Sequence, residues 1–331
     1  GGHRVIERIG HWRSLWIGAI GMSVGALLLS AGRSPTITIG AAFLMGLVGS
    51  LILTIVPAAL SDRHGEMRTI ALTEANVIAS LVVTTAPLMV GQSVRLSGDW
   101  RFALAVAAIA PIFLYIGFRK GSAPTIAIAQ KDSTRSKQAL PILFWVYWAA
   151  IVMAVSVEFC MIFWSADYLK NVFGLLKTDA AQAVSLFLAA MILGRMAGSR
   201  LVQHFSTPKV ITVSIFAAGL GFILFWKTDN VLLGLGGLFL TGLGVASLYP
   251  LILALAIGTT ADTIQASARA TLASGTAILA LPLLLARLAD AVGIGLAYGV
   301  VAVLLLGVFL IIQFADRISS GRSRIVNTGT K

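Results

Sequence analysis

The chain has 331 residues, 58% of them hydrophobic and only 11% charged, with a mean hydropathy of +0.92. Soluble domains carry roughly 25% charged residues, so lipid rather than water is the solvent for most of this chain. The net charge of +12 is no nucleic-acid signature, because the basic residues fall in short loops between apolar runs and read as topology signals.

The chain opens on Gly1 rather than Met, which reads as a processed end or a cut. The first loop carries Gly2, Glu7, Arg8, Gly10 and Arg13. Crossing the hydrocarbon core takes about 20 apolar residues. Ten runs are long enough: 14–31, 36–60, 68–94, 100–118, 139–169, 178–203, 207–226, 230–259, 264–290 and 292–315. Turn-rich separators such as Gly32-Arg33-Ser34-Pro35 and Ser61-Asp62-Arg63-His64-Gly65 lie between them. The longest non-apolar stretch, 119–138, reads as a flexible linker. The predicted organisation is therefore an N-terminal half-bundle of four spans (1–118), a cytoplasmic linker (119–138), a C-terminal half-bundle of six spans (139–316) and a cytoplasmic tail (317–331). Alternating the loops across the membrane leaves only Arg33, Arg95, Arg101, Lys170, Lys177, Lys227 and Arg287 of the 25 Lys and Arg on one side. The positive-inside rule makes the other side cytoplasmic, with the opening loop, linker and C-terminus.

The halves repeat. Gly2, Glu7, Arg8, Gly10 and Arg13 return with the same spacing as Gly198, Gln203, His204, Ser206 and Lys209. At the same offset of 196, Phe43-Leu44-Met45-Gly46-Leu47 returns as Phe239-Leu240-Thr241-Gly242-Leu243. Two like halves in parallel are an architecture for moving a solute along the seam between them. On this symmetry the second half holds two helices whose partners would lie upstream of Gly1. About 55–60 residues, two spans of an expected twelve, are then absent from this chain.

These features resemble the major facilitator superfamily over essentially the whole chain. The family's loop after its second helix reads Gly-x-x-x-x-Asp-Arg-x-Gly-Arg-x-Arg. Here Gly2, Glu7, Arg8, Gly10, His11 and Arg13 stand in its place, with Glu for the Asp and His for one Arg. Gly98-Asp99-Trp100-Arg101-Phe102 resembles the family's Gly-Trp-Arg signature. The resemblance implies an all-α polytopic bundle of two halves and a secondary transporter working by alternating access. It also implies a gating role for Gly2, Glu7, Arg8, Gly10, Arg13 and Gly198, with Asp62 the natural partner for Arg8 or Arg13. Drug–proton antiporters of the family carry Gly-Pro-x-x-Gly-Gly in the fifth helix; Ala86-Pro87-Leu88-Met89-Val90-Gly91 departs from it, which counts against drug antiport.

Charges inside spans invite explanation, since one at the bilayer centre costs at least ~2.5–3.5 kcal/mol. Glu158 is the clearest, with no other charge from Leu140 to Ala166, and is a candidate for binding solute or a proton, the alternative being a structural carboxyl bonded to a neighbouring helix. Trp164 and Tyr168 offer aromatic faces nearby, and Glu158 with these two resembles the seventh helix of the fucose-permease-like branch. Glu74 and Asn76 either line the cytoplasmic half of a cavity or serve interhelical packing. Arg195 stands two turns from the end of its run and reads as snorkelling to the cytoplasmic surface rather than binding an anion. Tyr249-Pro250 interrupts a long run and suggests a bend, with Tyr249 a cavity residue. Gly21/Gly25, Gly194/Gly198 and Gly295/Gly299 read as packing ridges.

All four histidines lie in loops, Cys160 is the only cysteine, and no paired carboxylates fall at helical spacing inside a span, so the reading is not an enzyme. It points to no cofactor, metal or nucleic-acid partner. The expected partners are a small-molecule solute, neutral or cationic rather than a multivalent anion, membrane lipid, and protons as the ion of a symport. The chain reads as a monomer in the cell (inner) membrane. The alternative is a non-transporting or decayed relative of such a transporter.

Overall fold

The computed structural model describes residues 6, 9–97, 99–118 and 139–328. Gly2, Glu7, Arg8, Gly98, the linker 119–138 and residues 329–331 lie outside the described residues. Lipid offers no hydrogen-bond partners, so the backbone must satisfy itself within each segment. The described residues accordingly form helices and no strand: α1 His11–Ala31, α2 Pro35–His64, α3 Arg68–Ser97, α4 Arg101–Phe118, α5 Ile142–Phe173, α6 Lys177–Leu201, α7 Thr207–Lys227, α8 Val231–Val245, α9 Leu248–Ile257, α10 Thr263–Val292, α11 Ile294–Ala297 and α12 Val300–Thr328. Among the described residues, nine helical stretches are long and apolar enough to cross a membrane. One of them, Pro35–Val83, is 49 residues long and holds all of α2 and half of α3, joined by one 3-10 turn at Gly65–Met67. The ten apolar runs all fall on these helices.

Two runs read as single spans each remain one stretch of spanning length but carry a two-residue turn. Run 230–259 breaks at Ala246–Ser247 into α8 and α9, and run 292–315 breaks at Tyr298–Gly299 into α11 and α12. Conversely, residues 317–328, read as a tail, continue α12 to Thr328, because no proline interrupts them and Arg is a good helix former.

Two compact units are distinguished. The first holds α1, α2, α4, the second half of α3 and the start of α10, as residues 1–65, 81–136 and 262–271. Gly10, at φ 90, opens α1 in a conformation that only glycine adopts without strain. Ser34 caps α2, its Oγ accepting from the Ile37 amide at 3.4 Å, with Pro35 at the first helical position. Gly18, Gly21 and Gly25 let α1 lie against Ile52, Val48 and Met45 of α2. Ile6, Leu51, Ile55, Ala58 and Ile264 form a buried apolar cluster.

The second unit holds Glu66–Ser80, 137–261 and 272–331. Its core includes an aromatic cluster in which Tyr168 stacks on Tyr298 at 4.8 Å and packs against Phe225. The segments that change unit, 66–80 and 262–271, begin 196 residues apart, the offset of the internal repeat.

Candidate functional site

Glu158 lies at the middle of the 32-residue α5, flanked by buried Val157 and Cys160. A carboxylate there needs a partner. Arg195 of α6 supplies it: its Nη2 donates to Glu158 Oε1 at 3.1 Å, and the two side chains are only 10% and 14% exposed.

Arg195 is held by more than charge. Pro250 has no N–H, so the carbonyl four residues earlier, Ala246 O, loses its helical donor. Arg195 Nε donates to that carbonyl at 3.2 Å. Arg195 Nη1 donates to the hydroxyl of Ser80 on α3, and that hydroxyl donates in turn to Asn76 O of its own helix at 2.7 Å. One guanidinium therefore joins a carboxylate on α5, a hydroxyl on α3 and the backbone break between α8 and α9.

Small residues bring these groups together. A Cβ on Gly194 would meet Leu243 and Ala246, and one on Gly198 would meet Ser247. This face of α6 therefore lies directly on the α8–α9 junction, where Ser247 Oγ also donates to Gly194 O at 2.9 Å. Arg195, next to Gly194, is carried into the interior and is 8% exposed. The expectation that it snorkels is corrected, because partners inside the bundle replace the water it would otherwise seek. Tyr249, on the first turn of α9, shares a hydrogen bond with Ser274 of α10 and lies within electrostatic range of both Glu158 and Arg195.

Two independent observations now bear on identity. The bundle is helical with a buried ion pair at mid-span, and a family model described as the Major Facilitator Superfamily matches residues 2–256. The chain belongs to that superfamily. It is 29% identical over 152 residues to an uncharacterized MFS-type transporter of Yersinia pestis, and 35% identical over 88 residues to an uncharacterized transporter of Sinorhizobium fredii. These matches cover 46% and 27% of this chain, but only 40% and 23% of the relatives' own lengths. Its fold is similar to that of the E. coli fucose:proton symporter FucP, with a TM-score of 0.75 at 15% identity over 95% of this chain and 86% of that one. It is likewise similar to the human organic anion transporter MFSD10, with a TM-score of 0.76 at 15% identity over 94% and 79%. The superfamily is one of transporters rather than enzymes.

Of the residues that the sequence singles out, the fold brings Tyr249 to Glu158 and leaves others elsewhere. Tyr168 is ten residues further along α5, about 15 Å by helical rise. It is 1% exposed and donates its hydroxyl to Trp226 O at 2.9 Å. Trp164 is half-buried on α5, and Glu74 is exposed on α3. Asn76 is half-buried and donates its Nδ2 to Leu72 O of its own helix at 2.9 Å. Of the residues expected to form the gate, Asp62 Oδ2 accepts from the Thr263 hydroxyl at 3.1 Å and lies within electrostatic range of His11. Arg13 stands on the first turn of α1, and Gly198 serves the seam against Ser247.

Sequence reading missed Ser80, the Ala246 carbonyl and the partnership of Arg195. Two signals were present: a lone carboxylate inside a span asks for an inward cation, and Pro250 marks its i−4 carbonyl as needing a donor.

Proposed function

We propose that this protein carries a small solute across the cell membrane by alternating access, as a proton-coupled symporter with Glu158 as the proton carrier. The observation that supports this reading is the Glu158–Arg195 pair, buried at mid-span and bonded through Arg195 to Ala246 O, a carbonyl that Pro250 deprives of its helical donor. Protonating Glu158 cancels its charge and frees one arm of Arg195, so the state of one carboxyl is linked to a point where the bundle bends. The similarity of fold to a fucose:proton symporter agrees with this coupling. In the same reading the protein is a monomer with the linker and C-terminus cytoplasmic. Gly2, Glu7, Arg8, Gly10, Arg13, Asp62 and Gly198 serve the cytoplasmic gate, with the Asp62–Thr263 bond one of its latches.

The test is solute-driven proton uptake into pyranine-loaded proteoliposomes, screened over sugars, amino acids, amines and organic acids. At least one class acidifies the lumen with the parent protein. Glu158→Gln abolishes accumulation and retains exchange of solute across the membrane. Accumulation by Glu158→Gln at the parent rate would remove Glu158 from the coupling step, and a parent protein that moves neither solute nor protons would remove the transport reading.

A further inference from the structure

Resting on that reading, we infer that the solute carries a single carboxylate, which Arg195 binds in place of Glu158 once Glu158 has taken up a proton. A guanidinium has five N–H donors in a planar fork. The described partners of Arg195 use three of them: Ala246 O takes Nε, Ser80 takes one from Nη1, and Glu158 takes one from Nη2. Among the described residues none takes the second N–H of either Nη, and the two terminal nitrogens together match the two oxygens of a carboxylate.

The charge balance fixes the stoichiometry. Without solute, Glu158 carries one negative charge and Arg195 one positive charge, so the buried site is neutral. If Glu158 takes a proton and nothing else enters, Arg195 is left as an unpaired cation inside the bundle, a strongly disfavoured state. A monoanion restores neutrality. A neutral solute leaves the cation unpaired, and a dianion adds a surplus negative charge. One proton therefore enters with one monocarboxylate, and the net charge carried is zero. The titratable and charged groups facing Glu158 among the described residues are Arg195 from α6 and Tyr249 from α9, with Tyr249 hydrogen-bonded to Ser274 of α10. Among the described residues, no second fixed cation faces the carboxylate to spoil this balance. A monocarboxylate departs from the sequence-based expectation of a neutral or cationic solute, which leaves Arg195 out of the site.

The experiment uses the full chain in mixed micelles. Lactate, pyruvate and benzoate are compared with lactamide, pyruvamide and benzamide, reading tryptophan fluorescence and ligand-induced thermal shift from pH 5 to 8. The expected result is binding of at least one acid, stronger at lower pH, with its amide at least roughly thirtyfold weaker. Glu158→Gln, which mimics the protonated carboxyl, binds the acid as tightly as the parent does at low pH and loses the pH dependence. Arg195→Lys weakens the acid and leaves the amide unchanged. The inference is overturned if amides bind as well as acids, if acid binding survives in monodisperse Arg195→Lys at parent strength, or if Glu158→Gln keeps the parent's pH slope. It is equally overturned if none of the acids binds. Proton-coupled uptake of neutral solutes in proteoliposomes would then leave the transport reading standing, whereas no coupled solute of any class would remove that reading as well.

Discussion

Arg195→Met removes every donor of the guanidinium while keeping a long apolar side chain. The consequences follow bond by bond. Glu158 loses its ion pair and becomes a stranded carboxylate at mid-span. Ala246 O loses its donor and has no helical replacement, since Pro250 stands four residues on. Ser80 loses least, because its hydroxyl still donates to Asn76 O. Removing one partner of a buried pair costs about 3–5 kcal/mol. Adding Glu158→Leu takes away the stranded charge, so the remaining cost is that of one unsatisfied carbonyl, about 1–3 kcal/mol. Adding Pro250→Ala supplies the missing N–H to Ala246 O, and the triple variant returns to within about 1 kcal/mol of the parent.

Stability is read by titrating sodium dodecyl sulfate into mixed micelles and following tryptophan fluorescence, with expression at the membrane as a second readout. The diagnostic quantity is an interaction free energy. Pro250→Ala helps more in the Arg195→Met background than in the parent, where Arg195 already satisfies the carbonyl. Two results would refute this account. One is an Arg195→Met variant within about 1 kcal/mol of the parent, which would mean that the pair and carbonyl bond contribute little. The other is an equal effect of Pro250→Ala with and without Arg195, which would mean that the carbonyl does not depend on the arginine.

A Cβ on Gly237 would lie 2.5 Å from the Phe225 amide nitrogen and 2.7 Å from Gly221 O, whereas Gly236 has nothing within 4 Å. Gly237→Ala therefore destabilises by at least about 1–3 kcal/mol through overpacking, and Gly236→Ala is neutral or slightly stabilising. Equal thermal stability of the two variants would refute the close packing of α7 on α8. Tyr168→Phe removes the bond to Trp226 O and costs about 1 kcal/mol. It leaves the half-saturating solute concentration unchanged, and a large change would return Tyr168 to the solute site. Asp62→Ala and Thr263→Val each cost about 1 kcal/mol by the same unfolding measurement, and the double variant costs no more than the larger single one. Full additivity would show that the two groups do not act as a pair.

Hydropathy alone located the helices, because the cost of an unsatisfied backbone in lipid leaves few other choices. Glu158 was also legible, since one carboxylate in a long apolar run is conspicuous. What the sequence did not disclose is direction. Position along α6 put Arg195 two turns from the end, which suits snorkelling equally well. Only the Gly194–Gly198 face, laid on the α8–α9 junction, turns it inward. The interruption expected at Tyr249-Pro250 falls at the Ala246–Ser247 turn, since a proline disturbs the carbonyl four residues before it. Tyr168 looked like a solute contact because aromatic side chains serve both binding and packing. Its hydroxyl bond to Trp226 O and its stack on Tyr298 account for it as core.

In the proposed mechanism the arginine also makes the break a point through which the site acts on the bundle. A guanidinium is rigid and planar, so its Nε and Nη groups cannot reorient independently. Turning the fork from Glu158 toward another carboxylate necessarily changes the approach of Nε to Ala246 O. That carbonyl lies where α8 and α9 have already lost one internal bond, the least costly place for this helix to bend. Pro250→Ala restores the internal bond and stiffens the junction while leaving Glu158 and Arg195 in place. The expected kinetic result in proteoliposomes is a lower maximal transport rate with an unchanged half-saturating concentration, because the site still binds but the bundle turns over more slowly. A weakened affinity at an unchanged maximal rate would place the break in the binding site itself and remove its role in the conformational step.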